Sequence, residues 1–226
     1  MDTNLQPFQN EAFFRSIPIY ESGEPLVSLS NISSKIKVFP YYFQEKLPGT
    51  FKECYLREGA AKRLVKAAEK LPKNLDFVVL DGWRPYEVQK VLYEMTRDGF
   101  RKKGMDESEI DREISKFVSY PSENVDTPSP HMTGGSIDLT IADQDGWLDM
   151  GTGFDEFTDK AKTDWYEEAP NLSETEQQIR NNRRLLKQVM TDVGFHNFEE
   201  EWWHYDYGNQ RWAMLSHQLA IYKGLR

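Results

Sequence analysis

Residues 129–142 read S-P-H-M-T-G-G-S-I-D-L-T-I-A, and no other stretch limits the fold as strongly. An imidazole and a carboxylate flank a glycine pair, and an apolar, β-branched run follows. This is the pattern of a loop entering a strand, the two together carrying half of a metal site. His131 belongs to the loop after Pro130, and Gly134-Gly135 lets the backbone fold back tightly, because glycine reaches positive φ without a steric penalty. From Ser136 to Ala142 the residues alternate. Ser136, Asp138 and Thr140 lie on one side and Ile137, Leu139 and Ile141 on the other, which predicts a half-buried strand with Asp138 directed away from the core.

Residues 201–207, E-W-W-H-Y-D-Y, supply a second imidazole and a carboxylate not needed for ligation. Zn²⁺ in hydrolytic sites commonly takes three N/O protein ligands plus water, whose pKa it lowers to roughly 7. His131, Asp138 and His204 are therefore candidate ligands, with Glu201 the candidate base. On a regular strand Glu201 and His204 would face opposite sides about 10 Å apart. Either the strand begins at Trp202 and leaves Glu201 on a loop, or a bulge re-aims one of them. The chain has 4 His; His196 and His217 lack comparable surroundings and read as structural.

The 226 residues suit one domain, and a hydrophobic fraction of 38% with 13% aromatics is adequate for a sizeable core. The abundance of Trp and Tyr suggests an aromatic-lined interior or cleft. A net charge of -9 argues against a nucleic-acid partner, which would need a basic stripe, and against docking on anionic lipid. Cys54 stands alone, so an internal disulfide framework is excluded, and the residue reads as core filler rather than nucleophile. The first residues carry neither a basic n-region nor an apolar run, and no transmembrane stretch is present. A cytoplasmic protein is expected, or a periplasmic one if a signal peptide has been removed.

Residues 1–50 read as an arm with one or two short strands. Residues 58–71 keep helical spacing at Leu64, Val65, Ala68 and Leu71, with Pro72 as the stop. The apolar run at 76–81 suits a buried strand. It ends in G-W-R-P, after which Val88, Leu92 and Met95 recur at helix spacing and Pro85 sits near the first turn. Arg84 is thus at a strand-to-helix junction, where it is either a structural ion-pair partner or a functional residue. Residues 106–118 predict a charged helix. The loop at 150–155 either presents Asp155 or is a plain hairpin turn. Ser173 and Glu176 match a capping box, opening an amphipathic helix that ends with Gly194 at C′. A closing helix is predicted over 212–222.

Four segments together resemble the VanX-type D-alanyl-D-alanine dipeptidases: S-x-H-x-x-G-x-x-x-D at 129–138, E-W-W-H at 201–204, D-G-W-R-P at 81–85 and M-G-T-x-F-D at 150–155. They occur in that family's order. The resemblance implies an α+β fold, a single domain with a small antiparallel sheet and flanking helices, shared with D,D-carboxypeptidases and the hedgehog signalling domain. Residues 1–50 would be an N-terminal arm of the same domain, and 51–226 the zinc dipeptidase core. It further implies one Zn²⁺ per chain on His131, Asp138 and His204, with Glu201 handling protons and Arg84 stabilising the transition state. Ser129 and Asp155 would lie in the substrate cleft, Asp155 near the substrate's ammonium group. The chain departs from the family at residues 38–45, V-F-P-Y-Y-F-Q-E, where a Tyr-x-Thr followed by Asn-Phe and Gly is usual.

The expected reaction is hydrolysis of a short D-amino-acid dipeptide, most simply D-Ala-D-Ala, with that small molecule as the partner and no nucleic acid or membrane. A zinc D,D- or L,D-carboxypeptidase on longer cell-wall peptides would need a cleft open at the amine end. A non-catalytic zinc-stabilised binding module would keep the ligands but need not keep Glu201 and Arg84. The sequence leaves the oligomeric state open.

Overall fold

The computed structural model describes residues 11–114 and 118–226. A five-stranded sheet in the order β2-β4-β5-β7-β6 carries the fold. Its strands are β2 (Ile36–Val38), β4 (Asp76–Asp81), β5 (Ser136–Ala142), β6 (His196–Asn197) and β7 (His204–Asp206). The pairings are antiparallel except β2 beside β4, which is parallel. The parallel pairing brings the amino-terminal segment into the main sheet. A second, two-stranded sheet joins β1 (Leu26–Ser28) to β3 (Tyr55–Arg57).

The helices are α1 (Glu11–Arg15), α2 (Tyr41–Gln44), α3 (Glu58–Lys70), α4 (Tyr86–Lys102), α5 (Glu107–Glu113), α6 (Trp165–Glu168), α7 (Glu174–Thr191) and α8 (Gln210–Ser216). α3 buries Ala60, Ala61, Leu64, Ala67 and Ala68. α7 buries Ile179, Leu186, Val189 and Met190. The α3 stripe and Leu186, Val189 and Met190 of α7 pack with Ile137, Leu139 and Ile141 of β5 into the main core, since burying one face of each amphipathic element is the dominant favourable term. Both ends of α7 follow local chemistry. Ser173 and Glu176 form the reciprocal capping box. At the far end Gly194 N donates to Thr191 O and Phe195 N to Met190 O, the Schellman pair with Gly194 at C′.

Several expectations need correction. β5 is buried along its polar side as well, with Ser136, Asp138 and Thr140 each at most 2% exposed, because the functional cleft and its surrounding loops cover that face. Met95 is 56% exposed; α4 turns instead around Val88, Gln89 and Tyr93. The predicted closing helix stops at Ser216, where His217 takes a left-handed conformation. The chain then runs extended so that Ala220 can pair with Ile19. The predicted helix over 106–118 is α5, capped by Asp106 and Glu109; its residues 115–117 lie outside the described residues. Cys54 is buried in the core as expected, and burial pushes its thiol up.

Close backbone approaches hold the site-bearing segments. Gly134 has φ +71, and a Cβ on Gly135 would stand 2.2 Å from Tyr207 O. Arg57, 3% exposed, donates from Nε to Thr133 O and from Nη2 to Lys223 O, so a buried guanidinium ties the His131 turn to the carboxy-terminal segment. A Cβ on Gly82 would lie 2.4 Å from Tyr55 O. Gly82→Ala is therefore expected to destabilise the protein by roughly 2 kcal/mol through backbone overpacking. Gly99→Ala, inside α4 with nothing within 4 Å of the added Cβ, should stabilise it by about 0.5–1 kcal/mol. Urea-unfolding midpoints of the two variants check both signs.

Candidate active site

The register of the sheet creates the site. Asp138 on β5 pairs with His204 on β7 and with Asp81 on β4, so these side chains form one row across adjacent strands. A register shift between Val79 and Asp81 accommodates the row at the end of β4, and such irregularities commonly re-aim side chains next to active sites. One step along the same face, Ser136 pairs with Asp206. His131 reaches the row from the 3-10 turn Pro130–Thr133, which Gly134 closes in left-handed conformation.

Among the described residues, His131, Asp138 and His204 offer ligand atoms within 4.8 Å of one another, and all are buried. His131 Nε2 is 3.3 Å from Asp138 Oδ2 and 3.2 Å from His204 Nδ1. His204 Nδ1 is 3.0 Å from Asp138 Oδ1. The outer nitrogens have acceptors of their own: His131 Nδ1 is 2.7 Å from Gly82 O, and His204 Nε2 is 3.0 Å from Asp206 Oδ1. Each outer N–H bond fixes the tautomer and leaves an inner lone pair aimed at the shared point. Two imidazole lone pairs and a carboxylate then face one another without a proton between them, an arrangement that a cation satisfies. The surrounding carboxylates favour positive charge at this point, carried by a proton on His204 when no cation is bound. Burial alone would lower His204, but Asp206 and Asp138 at its two nitrogens outweigh that and raise it to about 10. Burial alone would raise Asp138, and the facing imidazoles instead hold it well below the usual carboxylate range. The donor set, two His nitrogens and a carboxylate, is one that Zn²⁺ accepts.

Glu201 lies before β7, which starts at His204 rather than at Trp202. A turn closed by His204 N donating to Glu201 O at 3.3 Å swings Glu201 to the side of the His131–Asp138–His204 cluster. Its Oε2 stands 3.9 Å from His204 Nδ1. A loop position, not a bulge, thus resolves the strand-geometry conflict. Burial pushes the Glu201 carboxyl up to about 8, a range in which it can both take and return a proton.

Arg84 is 8% exposed. Its Nη2 is 2.7 Å from Asp81 Oδ2 and 3.7 Å from Asp138 Oδ2, while Nη1 donates to Gln89 Oε1 at 2.9 Å. Burial alone would lower its pKa; Asp81, Tyr42 and Asp138 raise it further above the ordinary arginine value, so the guanidinium stays charged. Asp155 projects from a loop in left-handed conformation, φ 58, which a short carboxylate side chain tolerates. The loop is presented and anchored, not a plain hairpin turn. Asn182 Nδ2 donates to Asp149 O, Arg183 Nε to Met150 O and Trp202 Nε1 to Thr152 Oγ1. Burial pushes Asp155 up to about 7 even though Tyr42 donates a 2.7 Å hydrogen bond to its Oδ2.

One cleft brings together Arg84, His131, Asp138, Asp155, Glu201 and His204. Ser129 is 1% exposed directly before the His131 turn, and its Oγ is buried without a hydrogen-bond partner. Ser129 is not among the residues lining the cleft, whose wall there is formed by Ser119, Pro130 and His131. Residues that sequence reasoning passed over complete the arrangement. Tyr42 bridges Asp155 and Arg84, and Gln89 holds Arg84 from α4. Asp206 also accepts from Ser136 Oγ and Asn209 Nδ2, each at 2.6 Å. The two-residue spacing of His204 and Asp206 on a strand was a readable signal for Asp206. Tyr42 had none, because its partners are remote in sequence.

Comparison with known proteins places this geometry in a family. Residues 43–221 match the Peptidase M15 family, described as D-ala-D-ala dipeptidase. A Synechocystis protein named D-alanyl-D-alanine dipeptidase is 30% identical over 99% of this chain and 98% of its own length. An Escherichia coli protein of the same name is 30% identical over 68% of this chain and 66% of its own. Among solved structures, the VanY D,D-pentapeptidase of a VanB-type resistance cassette, in complex with Zn(II), aligns with a TM-score of 0.44 and 15% identity, over 75% of this chain and 82% of that one. The chain belongs to the D-ala-D-ala dipeptidase family of peptidases.

Proposed function

We infer that this protein is a zinc-dependent dipeptidase that hydrolyses D-alanyl-D-alanine to two molecules of D-alanine. The observation that carries the inference is the convergence of two outward-anchored imidazoles and Asp138 beside a buried carboxyl and a buried guanidinium, in a chain of this family. In this reading His131 Nε2, His204 Nδ1 and Asp138 hold one Zn²⁺ per chain. When bound, the ion supplies Lewis-acid charge for amide hydrolysis. A binding module would have no use for Glu201 and Arg84 beside the ligands.

The chain's own groups divide the remaining work. Glu201 takes the proton of the attacking water and returns it to the leaving amine, the dual role for which a carboxyl raised by burial is suited. Arg84 presents fixed donors to the carbonyl oxygen as it gains charge, and its bonds to Asp81 and Gln89 hold it in place beforehand. Asp155 receives the substrate's ammonium group, whose charge offsets the burial that otherwise favours the protonated acid. Ser129, whose Oγ is buried without a protein partner directly before Pro130 of the cleft wall, is assigned to substrate binding by the family resemblance. Both charged ends need such partners, because neither can be buried unpaired.

The direct test is mass-spectrometric detection of D-alanine released from D-Ala-D-Ala, with added Zn²⁺ and after chelation; no release with zinc present would overturn the reading. Asp138→Ala is expected to lose metal and activity together by elemental analysis, whereas Asp206→Ala should keep the fold and weaken zinc affinity about 10–100-fold. Glu201→Gln should retain zinc and lose turnover by roughly 10³–10⁴-fold. Loss of zinc there, with retention in His204→Ala, would exchange the two roles. Arg84→Lys should lower kcat by roughly 10²–10³-fold with less effect on KM, since a point ammonium does not reproduce a planar fork of donors.

A further inference from the structure

Tyr42 stands between two cavities. On one side is the catalytic cleft, and on the other a smaller pocket bounded by Pro40, Phe43, Phe51, Trp83 and Val88; Tyr42 and Arg84 line both. The smaller pocket has an aromatic wall but also carries Thr50, Glu53 and Asp81, and it is open to solvent, since Phe43 is 37% and Phe51 42% exposed. Phe51 and Trp83 stack there at 5.7 Å with an interplanar angle of 19°. Tyr42 itself is 8% exposed and fixed from every side. Its hydroxyl donates to Asp155 Oδ2 at 2.7 Å and lies 3.4 Å from Arg84 Nη2. Its ring packs against Tyr41 and Phe154 and beneath the Arg84 guanidinium.

We propose that Tyr42 is a specificity-determining residue, the wall that ends the cleft at the substrate's amine and restricts this enzyme to free dipeptides, with the Phe51–Trp83 pocket a latent subsite behind it. The proposal rests on the dipeptidase reading, in which Asp155 receives the ammonium group. An acylated or peptide-extended amine is neutral and needs room beyond its nitrogen, and the Tyr42 ring occupies that room. Displacing the ring would break its bond to Asp155 and leave a buried carboxyl unpartnered, a second cost added to the steric one. Removing the side chain would join the cavities, so that an acyl group or a preceding residue could rest on the stacked aromatic pair.

The test compares D-Ala-D-Ala with N-acetyl-D-Ala-D-Ala for the wild type, Tyr42→Phe and Tyr42→Ala, reading the ratio of kcat/KM for the acetylated to the free dipeptide. Because the ratio is internal to each variant, a general loss of stability does not move it. Wild type is expected to give a ratio below about 10⁻³. Tyr42→Phe keeps the wall but loses the bond to Asp155, so its ratio should stay low while KM for the free dipeptide rises roughly 10-fold. Tyr42→Ala should raise the ratio on the order of 10²-fold through new activity on the acetylated substrate. If Tyr42→Ala does not fold, Tyr42→Val gives the same reading. An unchanged ratio in the truncated variant, or a wild type that cleaves both substrates equally, overturns the proposal while leaving zinc dipeptide hydrolysis intact. A wild type that releases D-alanine from neither substrate overturns the dipeptidase reading, and this inference with it.

Discussion

The pairing of Asp138 with His204 across β5 and β7 is the contact on which the rest of the site depends. Side chains alternate along a strand, so a shift of one residue would send both groups to the opposite face. The register is held by what lies on that opposite face. Ile137, Leu139 and Tyr205 are completely buried in the core formed with α3 and α7. Hydrophobic burial on one side of β5 and β7 therefore fixes the Asp138–His204 row on the other. The same alternation places Ser136 and Asp206 behind the row, where Asp206 can hold the outer nitrogen of His204.

Concentrating carboxyls in a closed space sets the second constraint. Asp138, Asp155, Glu201 and Asp206 lie close enough to affect one another's protonation or that of His204, and each would resist ionisation if left alone. The protein answers them unequally. Asp206 receives Ser136, Asn209, His204 and Arg211 and stays ionised. Asp138 depends on the imidazoles and on Arg84. Glu201 and Asp155 have the least compensation and are pushed toward the neutral form. This inequality matches the roles proposed above. Strongly compensated carboxylates hold geometry, and weakly compensated ones are left to exchange a proton or to meet a cationic ligand.

The sequence reveals the parts of this arrangement that are local. Asp76–Asp81, the α3 stripe and the Ser173 capping box follow from short-range pattern and appear where pattern puts them. His131, Asp138 and His204 sit in short framed motifs, and the chain folds so that the motifs meet. What the sequence hides is long-range. Period-two alternation suggests a solvated polar face for β5, but loops and the cleft bury it. The end of α8 is set by the need to bring Ala220 beside Ile19, not by helix propensity. Tyr42 acquires meaning only through Asp155, 113 residues away, a contact that no local signal encodes.

Rigid and adjustable parts of the site are thus divided by element type. The candidate metal ligands and their outer partners stand mainly on strands, where a single register sets several side chains at once. Glu201, Asp155 and Tyr42 come from a turn, an anchored loop and the short helix α2. Loops tolerate sequence change without loss of the scaffold. A change in α2 can therefore alter the end of the cleft that Tyr42 lines while β5 and β7 keep the Asp138–His204 pairing as it is. Residues 41–44, which form α2, lie in that adjustable part, and Tyr42 meets Asp155 and Arg84 from there without touching the strand register that sets Asp138 and His204.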